Sequence, residues 1–404
     1  MDTTRMPVGV IGFGVRALLT EELAARPDVE IRAICDPSES AQVRAGEQFP
    51  EALITGDLDE LLAAGVEAVF VLTPDHTHAE VVGRCLAAGV AVFCEKPIAI
   101  SVEDADRMLE LARSTGARLY LGHNMRHMPV VRLMREIIQS GRIGQVKAIW
   151  CRHFVGNGGD YYFKDWHAEQ SQVNSLLLQK GAHDIDVIHW LAGGYTQRVS
   201  AMGGVTVYGD PALHGDRAGE MMTDWISVDN WPPTAQTGVN PNVDVEDLSM
   251  VTMRLDNGVF ASYQQCHYTP DYWRNYTVIG TEGRIENIGD GPDGVVNVWT
   301  KRHPGFAAPD EVIQIPEASG SHGGADPVLL DEFLRFAREG GATETSPIAA
   351  RQAIAVGVLA AESLRSDQGA RTVPPLAPEL IRYFDDGQPG SHGSVPMAAT
   401  VAEH

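Results

Sequence analysis

Short apolar runs alternate with helical patterns through the first 124 residues. The apolar runs are PVGVIGFG, EIRAICD, AVFVLTP, AVFCEKP and RLYLGHN. Between them lie helical patterns such as HAEVVGRCLAAG and SVEDADRMLELARSTG, in which Ser101 followed by Asp104 is typical of a capped helix start. Continuous apolar strands alternating with helices are typical of a parallel sheet covered on both faces. The pattern therefore predicts a doubly wound α/β domain over residues 1–124.

The pattern changes after residue 124. PVVRLMREIIQSGRIG indicates a helix, QVKAIWCRHFV a strand and LLLQKGAHDIDVIHWLAGG a further helix. LSMVTMRLDNGVFASYQQCHY predicts a hairpin that turns at Asn257-Gly258, NYTVIGTEGRIENI predicts a second hairpin, and two helical patterns close the region. We therefore predict an α+β domain over residues 125–385 with a mostly antiparallel sheet. A long loop at 209–242 and a flexible tail at 386–404 complete the expected organisation.

Composition and charge narrow the class of partner. Hydrophobic content of 44% and charged content of 21% are ordinary for a soluble globular protein. Lys and Arg number 31 against 54 Asp and Glu, so the net charge is −23. A charge of that sign repels phosphate backbones and anionic membranes, and no apolar run approaches the ~18 residues of a membrane span. We expect neither a nucleic acid nor a membrane as partner.

The cysteine pattern and the N-terminal sequence indicate the cellular compartment of the protein. The five cysteines are scattered and form no CxxC pair, which favours reduced thiols. A signal peptide has a basic segment followed by an apolar stretch. The opening MDTTRMPVGVIGFG does not show this pattern. We expect a cytoplasmic protein.

A glycine-rich loop joins the first strand to the first helix. The loop GFGVRA consists of Gly12, Phe13, Gly14, Val15, Arg16 and Ala17. In such a loop the first glycine permits a tight turn, the second lets the backbone approach a pyrophosphate, and a small third residue allows close packing. Asp36 ends the second strand, where an acid would hold the adenosine ribose hydroxyls. These features predict a dinucleotide site, and because Pro37, Ser38 and Glu39 offer no cation for a 2′-phosphate, they favour NAD over NADP.

The tripeptide Glu95-Lys96-Pro97 ends the strand AVFC. Ligands of a doubly wound sheet collect at the carboxyl ends of strands, which would place Lys96 over the nicotinamide crevice. A lysine in a partly desolvated crevice can have its pKa lowered and can donate to a reacting hydroxyl. The alternative is a surface lysine paired with Glu95.

Four motifs in order resemble one family. GFGVRA, LTPDHTHAE, CEKP and GHNMRHMP resemble the glucose–fructose oxidoreductase/inositol dehydrogenase (Gfo/Idh/MocA) family. The resemblance implies a Rossmann domain and an NAD(P)-dependent enzyme that acts on sugars, cyclitols or their derivatives. It also implies a second domain whose open sheet makes a homodimer or homotetramer interface.

The resemblance also implies roles for individual residues. Those expected to line the cofactor site are Thr73, Pro74, His76, His78, Glu95, Lys96 and Asn124. Arg126 would face the substrate, and Lys96 would contact the hydroxyl that is oxidised. Asp75 departs from the asparagine common in the family. The alternative for His76 and His78 is that they are polar groups at a helix start with no ligand.

The segment LLLQKGAHDIDVIHWLAGG contains an unusual density of polar groups. His183 and His189 are six residues apart and point to different sides of a helix, so we expect no metal site. An imidazole with a pKa near ~6.5 suits the removal of a hydroxyl proton, and His183 matches the catalytic histidine of the family. The family often has an aspartate four residues before this histidine, where this chain has Gln179.

Other side chains of the same segment have candidate roles. Asp186, one turn after His183, could replace the orienting carboxylate. Lys180 could bind an anionic substituent or hydroxyls, while Gly181 could interrupt the helix. His189 and Trp190 are expected in the core or an interface, and Asp184 is expected to be a solvated acid.

Aromatic residues precede this segment in GGDYYFKDWHAEQSQ. Tyr161, Trp166 and His167 are candidates for packing against a sugar ring, and the alternative is that they cover the core. TPDYWRN (residues 269–275) is a weaker candidate of the same kind.

Three functional hypotheses follow. The first is an NAD-dependent oxidoreductase that transfers hydride between a secondary hydroxyl of a sugar, sugar derivative or cyclitol and NAD, with Lys96, His183 and Gln179 at the reacting group. The second is an NAD-dependent, redox-neutral glycosidase or lyase that transiently oxidises a ring hydroxyl. The third is a non-catalytic dinucleotide sensor, against which an intact Lys96 and His183 argue.

Overall fold

The computed structural model describes residues 5–217 and 220–389. Within these residues the chain forms one sheet of six strands and one of nine. Most of the expected tail, residues 390–404, lies outside the described residues. Before it, Gln388 is buried, and its side-chain amide exchanges hydrogen bonds with the backbone of Leu119. Within the same residues, no helix combines the length and hydropathy that a membrane-spanning segment requires.

The first sheet alternates strands and helices as predicted. Its elements are β1 (Met6–Ile11), α1 (Leu18–Ala24), β2 (Val29–Cys35), α2 (Glu39–Gln48), β3 (Leu53–Thr55), α3 (Leu58–Ala63), β4 (Ala68–Val71), α4 (His78–Ala87), β5 (Ala91–Cys94), α5 (Val102–Thr115) and β6 (Leu119–Leu121). The strands are parallel in the order β3-β2-β1-β4-β5-β6. This order reverses between β1 and β4, which confirms the doubly wound fold and creates a crevice at the carboxyl ends of the strands.

The rest of the chain builds the second sheet and its helices. These elements are α6 (Pro129–Gln139), β7 (Val146–Val155), α7 (Gly158–Tyr162), α8 (Gln170–Val173), α9 (Leu176–Gln179), α10 (Gly181–Ala192), β8 (Thr196–Gly204), α11 (Met222–Trp225), β9 (Leu248–Leu255), β10 (Phe260–Cys266), β11 (Tyr272–Gly280), β12 (Arg284–Ile288), β13 (Val295–Trp299), β14 (Glu311–Gln314), α12 (Ser321–Glu339), α13 (Pro347–Arg365), β15 (Arg371–Thr372) and α14 (Pro378–Asp385). The strand order is β14-β13-β12-β11-β7-β10-β9-β8-β15. Among the described strands of this second sheet, only the β7–β10 pair is parallel, so the prediction of a mostly antiparallel sheet is confirmed.

The two faces of the second sheet differ. α10 and α13 pack on one face, against buried side chains such as Ile149 and Tyr263. Alternate residues on the opposite face remain exposed, among them Trp150, Met250 and Phe260. Because successive side chains of a strand point to opposite faces, the hairpin of β9 and β10 presents a buried, mostly apolar row to the core and a mixed row, with Met250 and Phe260 beside polar residues, to the outside.

Helix α12 packs on the first sheet although it follows the second sheet in the chain. Phe333 makes ring contacts with Phe70, Phe93 and Tyr120, with centroids 4.9–5.5 Å apart. The core of the first domain is therefore completed by a helix from far beyond residue 124. This helix also carries Asp326 into the crevice.

The predicted long loop at 209–242 contains the short helix α11 and packs against the segment that follows β7. Tyr208 stacks on Phe163 with centroids 4.5 Å apart, and the indole of Trp225 donates to the carbonyl oxygen of Asp160. The segment that borders the crevice is therefore held in place by this long connection.

Candidate active site

The glycine-rich loop leaves an open surface above the end of β1. Gly12 has a φ of +93°, and a Cβ at this position would lie 2.9 Å from the backbone of Leu72, so only glycine fits without strain. A Cβ at Gly14 would meet nothing within 4 Å, and Gly14 is exposed. The loop therefore has one glycine that the fold requires and a second that leaves room for a ligand.

Asp36 lies directly beside this loop. Its carboxylate accepts hydrogen bonds from the backbone N–H of Phe13 at 2.7 Å and of Ser38 at 2.9 Å. Arg44 of α2, which the sequence reasoning missed, donates to the carbonyl oxygen of Phe13 at 3.2 Å. The half-buried acid at the end of β2 and the open Gly14 surface fit the ribose and pyrophosphate of a dinucleotide.

A charged network closes the other side of the crevice. Arg16 donates to Glu95 at 2.8 Å and lies 3.5 Å from Asp326, which accepts from the amide of Asn124 at 3.0 Å. Burial disfavours ionisation of Glu95, but Arg16 and Lys96 hold the pKa of its carboxyl below the ordinary value. The predicted residues Arg16, Glu95 and Asn124 are thus brought together, and Asp326 joins them from α12.

The residues after β4 divide into exposed and buried groups. Pro74 and His76 are exposed and Thr73 is half-buried, whereas His78 is fully buried. The ring nitrogens of His78 lie 2.7 Å from the carbonyl oxygen of Pro97 and 2.9 Å from that of Thr73. His78 therefore fits the alternative of a polar group without a ligand, since it ties two strand ends together.

Lys96 reaches across the crevice to the second domain. Its ammonium donates to the carbonyl oxygen of Gln179 at 3.4 Å. Burial lowers the pKa of Lys96 to about 8, with Lys180 acting in the same direction and Asp75 opposing it. Burial in turn raises the pKa of the Asp75 carboxyl, against the influence of Lys96. Lys96 is therefore a group that changes charge near neutral pH, as expected of a lysine in a partly desolvated crevice.

His183 is buried, and its Nδ1 has no hydrogen-bond partner among the described residues. Burial, followed by Lys96, His123 and Lys180, lowers the pKa of His183 well below 6.5. This corrects the expectation of a pKa near 6.5, because the helix position could not reveal how many cations surround the ring. The imidazole is neutral at physiological pH.

Asp186 does not carry out its expected role directly. Its carboxylate accepts from Arg126 at 2.6 and 2.7 Å and lies 3.4 Å from Nδ1 of His123. The ring of His123 lies 5.9 Å from that of His183, and its Nε2 is buried without a partner in the described chain. Asp186 therefore contacts His123, which packs beside His183, and Arg126, expected to face the substrate, is buried against this carboxylate.

The environment of Asp184 differs from the expectation of a solvated acid. This residue is fully buried rather than solvated, and it accepts hydrogen bonds from Tyr263 and Tyr276. His153 and Arg274 each lie 3.1 Å from it. Burial opposes ionisation, but these two partners hold the pKa of Asp184 well below its ordinary value. The amphipathic pattern missed this network because its partners come from three strands of the second sheet.

Gln179 and Lys180 lie where α9 ends and α10 begins. The helix is interrupted, but at Lys180 and not at Gly181 as expected, since Gly181 begins α10. The Oε1 atom of Gln179 is buried without a partner in the described residues. The ammonium of Lys180 lies 5.7 Å from the ring centroids of both Tyr162 and Tyr272.

The aromatic segment before α8 comes to the same crevice. Trp166 stacks on His167 with centroids 3.7 Å apart, and Nδ1 of His167 lies 2.7 Å from Asp165. His167 is also among the groups whose charge acts on Asp75. Tyr161 is half-buried and packs on Tyr162. His189, by contrast, is a core residue that hydrogen-bonds Thr196, as expected.

Within residues 5–217 and 220–389, no group of three or more His, Cys, Asp or Glu side chains is arranged to hold a metal ion. The polar side chains of the crevice form hydrogen bonds and ion pairs with one another, or have unpaired atoms that face it. The arrangement can bind a dinucleotide and move a proton at a substrate hydroxyl.

Two family models match the two sheets. Residues 6–123 match the model described as "Oxidoreductase family, NAD-binding Rossmann fold". Residues 135–373 match the model described as "Oxidoreductase family, C-terminal alpha/beta domain".

Three curated relatives illustrate the range of similarity. The chain is 24% identical over 351 residues to YteT of Bacillus subtilis, which is named as an oxidoreductase, and the alignment covers 76% of this chain and 82% of that one. It is 30% identical to the 2,7-anhydro-N-acetylneuraminate hydratase of Mediterraneibacter gnavus, over 55% of this chain and 61% of the relative. It is 29% identical to the myo-inositol 2-dehydrogenase of Thermotoga maritima, over 52% of this chain and 62% of the relative. The chain thus spans less than two thirds of the last two relatives.

Solved structures share the fold over nearly the whole chain. GenD2 from gentamicin A biosynthesis, in complex with NAD, aligns with a TM-score of 0.71 and 21% identity over 93% of this chain and 98% of its own. The WlbA dehydrogenase from Bordetella pertussis, in complex with NADH and UDP-GlcNAcA, aligns with a TM-score of 0.68 and 19% identity. The alignment covers 92% of this chain and 100% of that one. The fold of two sheets is therefore that of these two solved structures.

Proposed function

The chain belongs to the Gfo/Idh/MocA oxidoreductase family, and from that premise we propose that it transfers hydride between NAD and a secondary hydroxyl of a sugar, sugar derivative or cyclitol. Its first domain is the family's NAD-binding Rossmann domain, so the prediction of NAD as cofactor is confirmed. The choice of substrate is the proposed part. The similarity to a myo-inositol dehydrogenase supports it.

One contact carries the proposal. The ammonium of Lys96 donates to the carbonyl oxygen of Gln179, across 83 positions of the chain. This contact joins the carboxyl end of β5, where a nicotinamide would lie, to the helix pair that bears His183. A substrate hydroxyl bound between them would lie beside both a lysine and a neutral imidazole.

Lys96, His183 and Gln179 would have different roles at that hydroxyl. Bound NAD would supply a hydride acceptor. Lys96, with a pKa of about 8, can take the hydroxyl proton as its neutral amine and return it as an ammonium. Neutral His183, with Nδ1 unpaired, can hydrogen-bond and orient the hydroxyl. Gln179 can accept a hydrogen bond through its unpaired Oε1 but cannot take a proton.

His123 and Asp186 support the imidazole in place of the family's aspartate. The carboxylate lies 3.4 Å from His123, whose ring faces that of His183 at 5.9 Å. The contact with Asp186 orients the ring of His123, which packs beside the ring of His183. His123 and Asp186 are thus proposed as positioning residues.

Incubation of the enzyme with NAD and a panel of sugars and cyclitols tests the proposal. We expect at least one compound to produce NADH absorbance, and Lys96→Met to abolish it while NAD binding persists. If no compound of the panel changes the cofactor spectrum, the dehydrogenase proposal fails.

A redox-neutral glycosidase or lyase is the second candidate, and two observations favour it. Gln179 stands where the family often has an aspartate, and a relative 30% identical is a hydratase of an anhydro sugar acid. Transient oxidation of a ring hydroxyl would acidify the neighbouring C–H, so that elimination breaks the bond to the leaving group. Product release without net NADH, with solvent deuterium incorporated into the sugar, would identify this reaction.

We also propose that the outer face of the second sheet joins copies of the chain into a homodimer or homotetramer. Trp150 is 53% exposed and Phe260 is 62% exposed on this face, and large apolar side chains left exposed on a sheet face support an interface there. Light scattering should give a mass above 43.7 kDa, and Trp150→Glu should lower it. The cytoplasmic location expected from the cysteines stays a prediction.

A further inference from the structure

Lys180 is a cation that lacks a counter-ion in the described chain. It occupies the break between α9 and α10, and its ammonium lies equally far from the rings of Tyr162 and Tyr272, at 5.7 Å. No carboxylate of residues 5–217 and 220–389 lies within ion-pair distance of this ammonium. The nearest acid in the sequence, Asp184, is occupied by His153 and Arg274.

The other cations of the crevice are balanced. Arg274 lies 3.1 Å from Asp184, and Arg126 donates two hydrogen bonds to Asp186. Lys96 has Asp75 and Glu95 as its nearby acids. Among these crevice cations of the described residues, Lys180 is therefore the one without a carboxylate partner.

The surroundings of Lys180 keep it protonated. Burial lowers its pKa, but the phenolic groups of Tyr162 and Tyr272 outweigh this and raise the pKa of Lys180 above its ordinary value. Burial tends to raise the pKa of Tyr272, yet Lys180 and Arg274 lower it to about 8. A site that favours a negative charge on a tyrosine would also favour an anionic ligand.

Neutral hydrogen-bond donors surround the same point. Gly181 packs so closely that a Cβ would lie 3.0 Å from the ring of Tyr263 and 3.7 Å from Oε1 of Gln265. The side-chain amide of Gln265 lies 3.1 Å from the Tyr263 hydroxyl, and one atom of this amide is buried without a partner among the described residues. The amide of Gln265 thus lies beside Gly181, the residue that follows the break at Lys180.

We propose that the substrate of this site carries a carboxylate and that Lys180 binds it, with Gln265 and the tyrosine hydroxyls as additional donors. The inference rests on the proposed function, since it assigns the substrate class of the same crevice. With a neutral sugar the partly buried ammonium of Lys180 has only the hydroxyls of Tyr162 and Tyr272 as partners, whereas a sugar acid would supply a carboxylate. Because the chain carries a net charge of −23, this selection is local and does not come from the field of the whole protein.

Calorimetric titration of the NAD-loaded protein tests this inference. The probes are matched pairs, D-glucuronate with D-glucose and D-galacturonate with D-galactose. We expect a uronate to bind about tenfold or more tightly than its neutral partner, the effect of one charge-assisted hydrogen bond. Lys180→Met should remove the preference, and Lys180→Arg should keep part of it. Lys147→Met, an exposed lysine on β7, is the control and should behave as the wild type.

The outcomes separate this inference from the proposed function. A neutral sugar bound as well as its uronate, or a preference that survives in Lys180→Met with an unchanged melting temperature, overturns the carboxylate inference. Turnover of neutral sugars alone, followed by NADH absorbance, upholds the oxidoreductase and overturns this inference. Binding of a uronate that depends on Lys180, without any turnover, upholds the carboxylate site and counts against the oxidoreductase.

Discussion

The two walls of the crevice differ in how their polar atoms are satisfied. On the wall formed by the first sheet, Asp36 accepts two backbone hydrogen bonds and Glu95 is paired with Arg16. On the wall formed by α9 and α10, Gln179 and His183 each leave a buried atom without a partner in the described residues. Since buried polar atoms are nearly always paired, the acids at the cofactor loop are satisfied before any ligand arrives. In the described residues, Oδ2 of Asp75 on the first wall and the two atoms of the second wall require a substrate or water as partner.

Lys96→Met should have the largest effect, because it removes the group that joins the two walls. A positioned acid or base contributes about 10²–10⁴-fold to rate, and kcat should fall by that range. NAD affinity should change little, as measured by fluorescence titration. Loss of NAD binding in parallel with kcat would mean that Lys96 serves only the cofactor wall.

Asp184→Asn should destabilise the buried network beneath the second wall. It leaves Arg274 buried without its carboxylate, and breaking a buried pair costs about 3–5 kcal/mol in the free energy of unfolding. Urea denaturation would measure the change. Asp59→Asn is the matched control, because its pair with Arg84 is exposed and is worth at most about 1 kcal/mol. Equal losses in the two variants would contradict the buried network.

A pair of glycine variants would sharpen the description of the first wall. Gly12→Ala should cost about 1–3 kcal/mol of stability, because its φ of +93° and the Leu72 backbone leave no room for a Cβ. Gly14→Ala should leave the melting temperature nearly unchanged yet weaken NAD binding, since its Cβ would enter only the open surface. A stability loss at Gly14 equal to that at Gly12 would argue against an open loop.

The pH dependence of sugar oxidation should report Lys96. The burial-lowered pKa of about 8 means that the amine is mostly protonated below this pH and mostly neutral above it. If the neutral amine takes the hydroxyl proton, kcat/KM should rise about tenfold per pH unit below 8 and level off above it. His183 should add no step near pH 6.5, because its pKa is lowered well below that value. A single step near pH 6.5 would restore His183 as the base.

His123→Gln should have the smallest effect on kcat, because it changes only a residue beside His183 of the second wall. Removing one support of His183 should lower kcat about tenfold, with KM and the melting temperature nearly unchanged. The control is His127→Gln, a neighbouring buried histidine that lies near Glu332 instead of Asp186. A purely structural role for His123 would lower stability while leaving kcat of the folded fraction unchanged.

Much of the first wall could be predicted because its parts are local in sequence. Gly12, Gly14, Asp36 and Lys96 all lie at carboxyl ends of parallel strands, and a doubly wound sheet brings such ends to one edge. The exceptions come from elsewhere in the chain. Asp326 enters from α12, which no local pattern connects with the loop at Arg16.

The second wall was only partly predictable. The spacing of His183, Asp184 and Asp186 defines their positions on one helix but not the strands that face them. Asp184 was wrongly expected in solvent, because its partners Tyr263 and Arg274 lie 79 and 90 positions later in the chain. Asp186 was expected to act on His183 directly, and His123 of the GHN motif lies between them. That motif was the signal by which His123 could have been found.

The sequence alone determined the doubly wound first domain, the mostly antiparallel second sheet, the family and the strand-end site, because strand periodicity, turn glycines and short motifs act over a few residues. The tertiary structure decided which charges are paired. Ionisation of a buried group depends on every charge and dipole within a few ångströms, and those neighbours come from α10, α12 and strands of both sheets. This is why Lys96 titrates near pH 8, His183 stays neutral and Lys180 is left to bind a ligand.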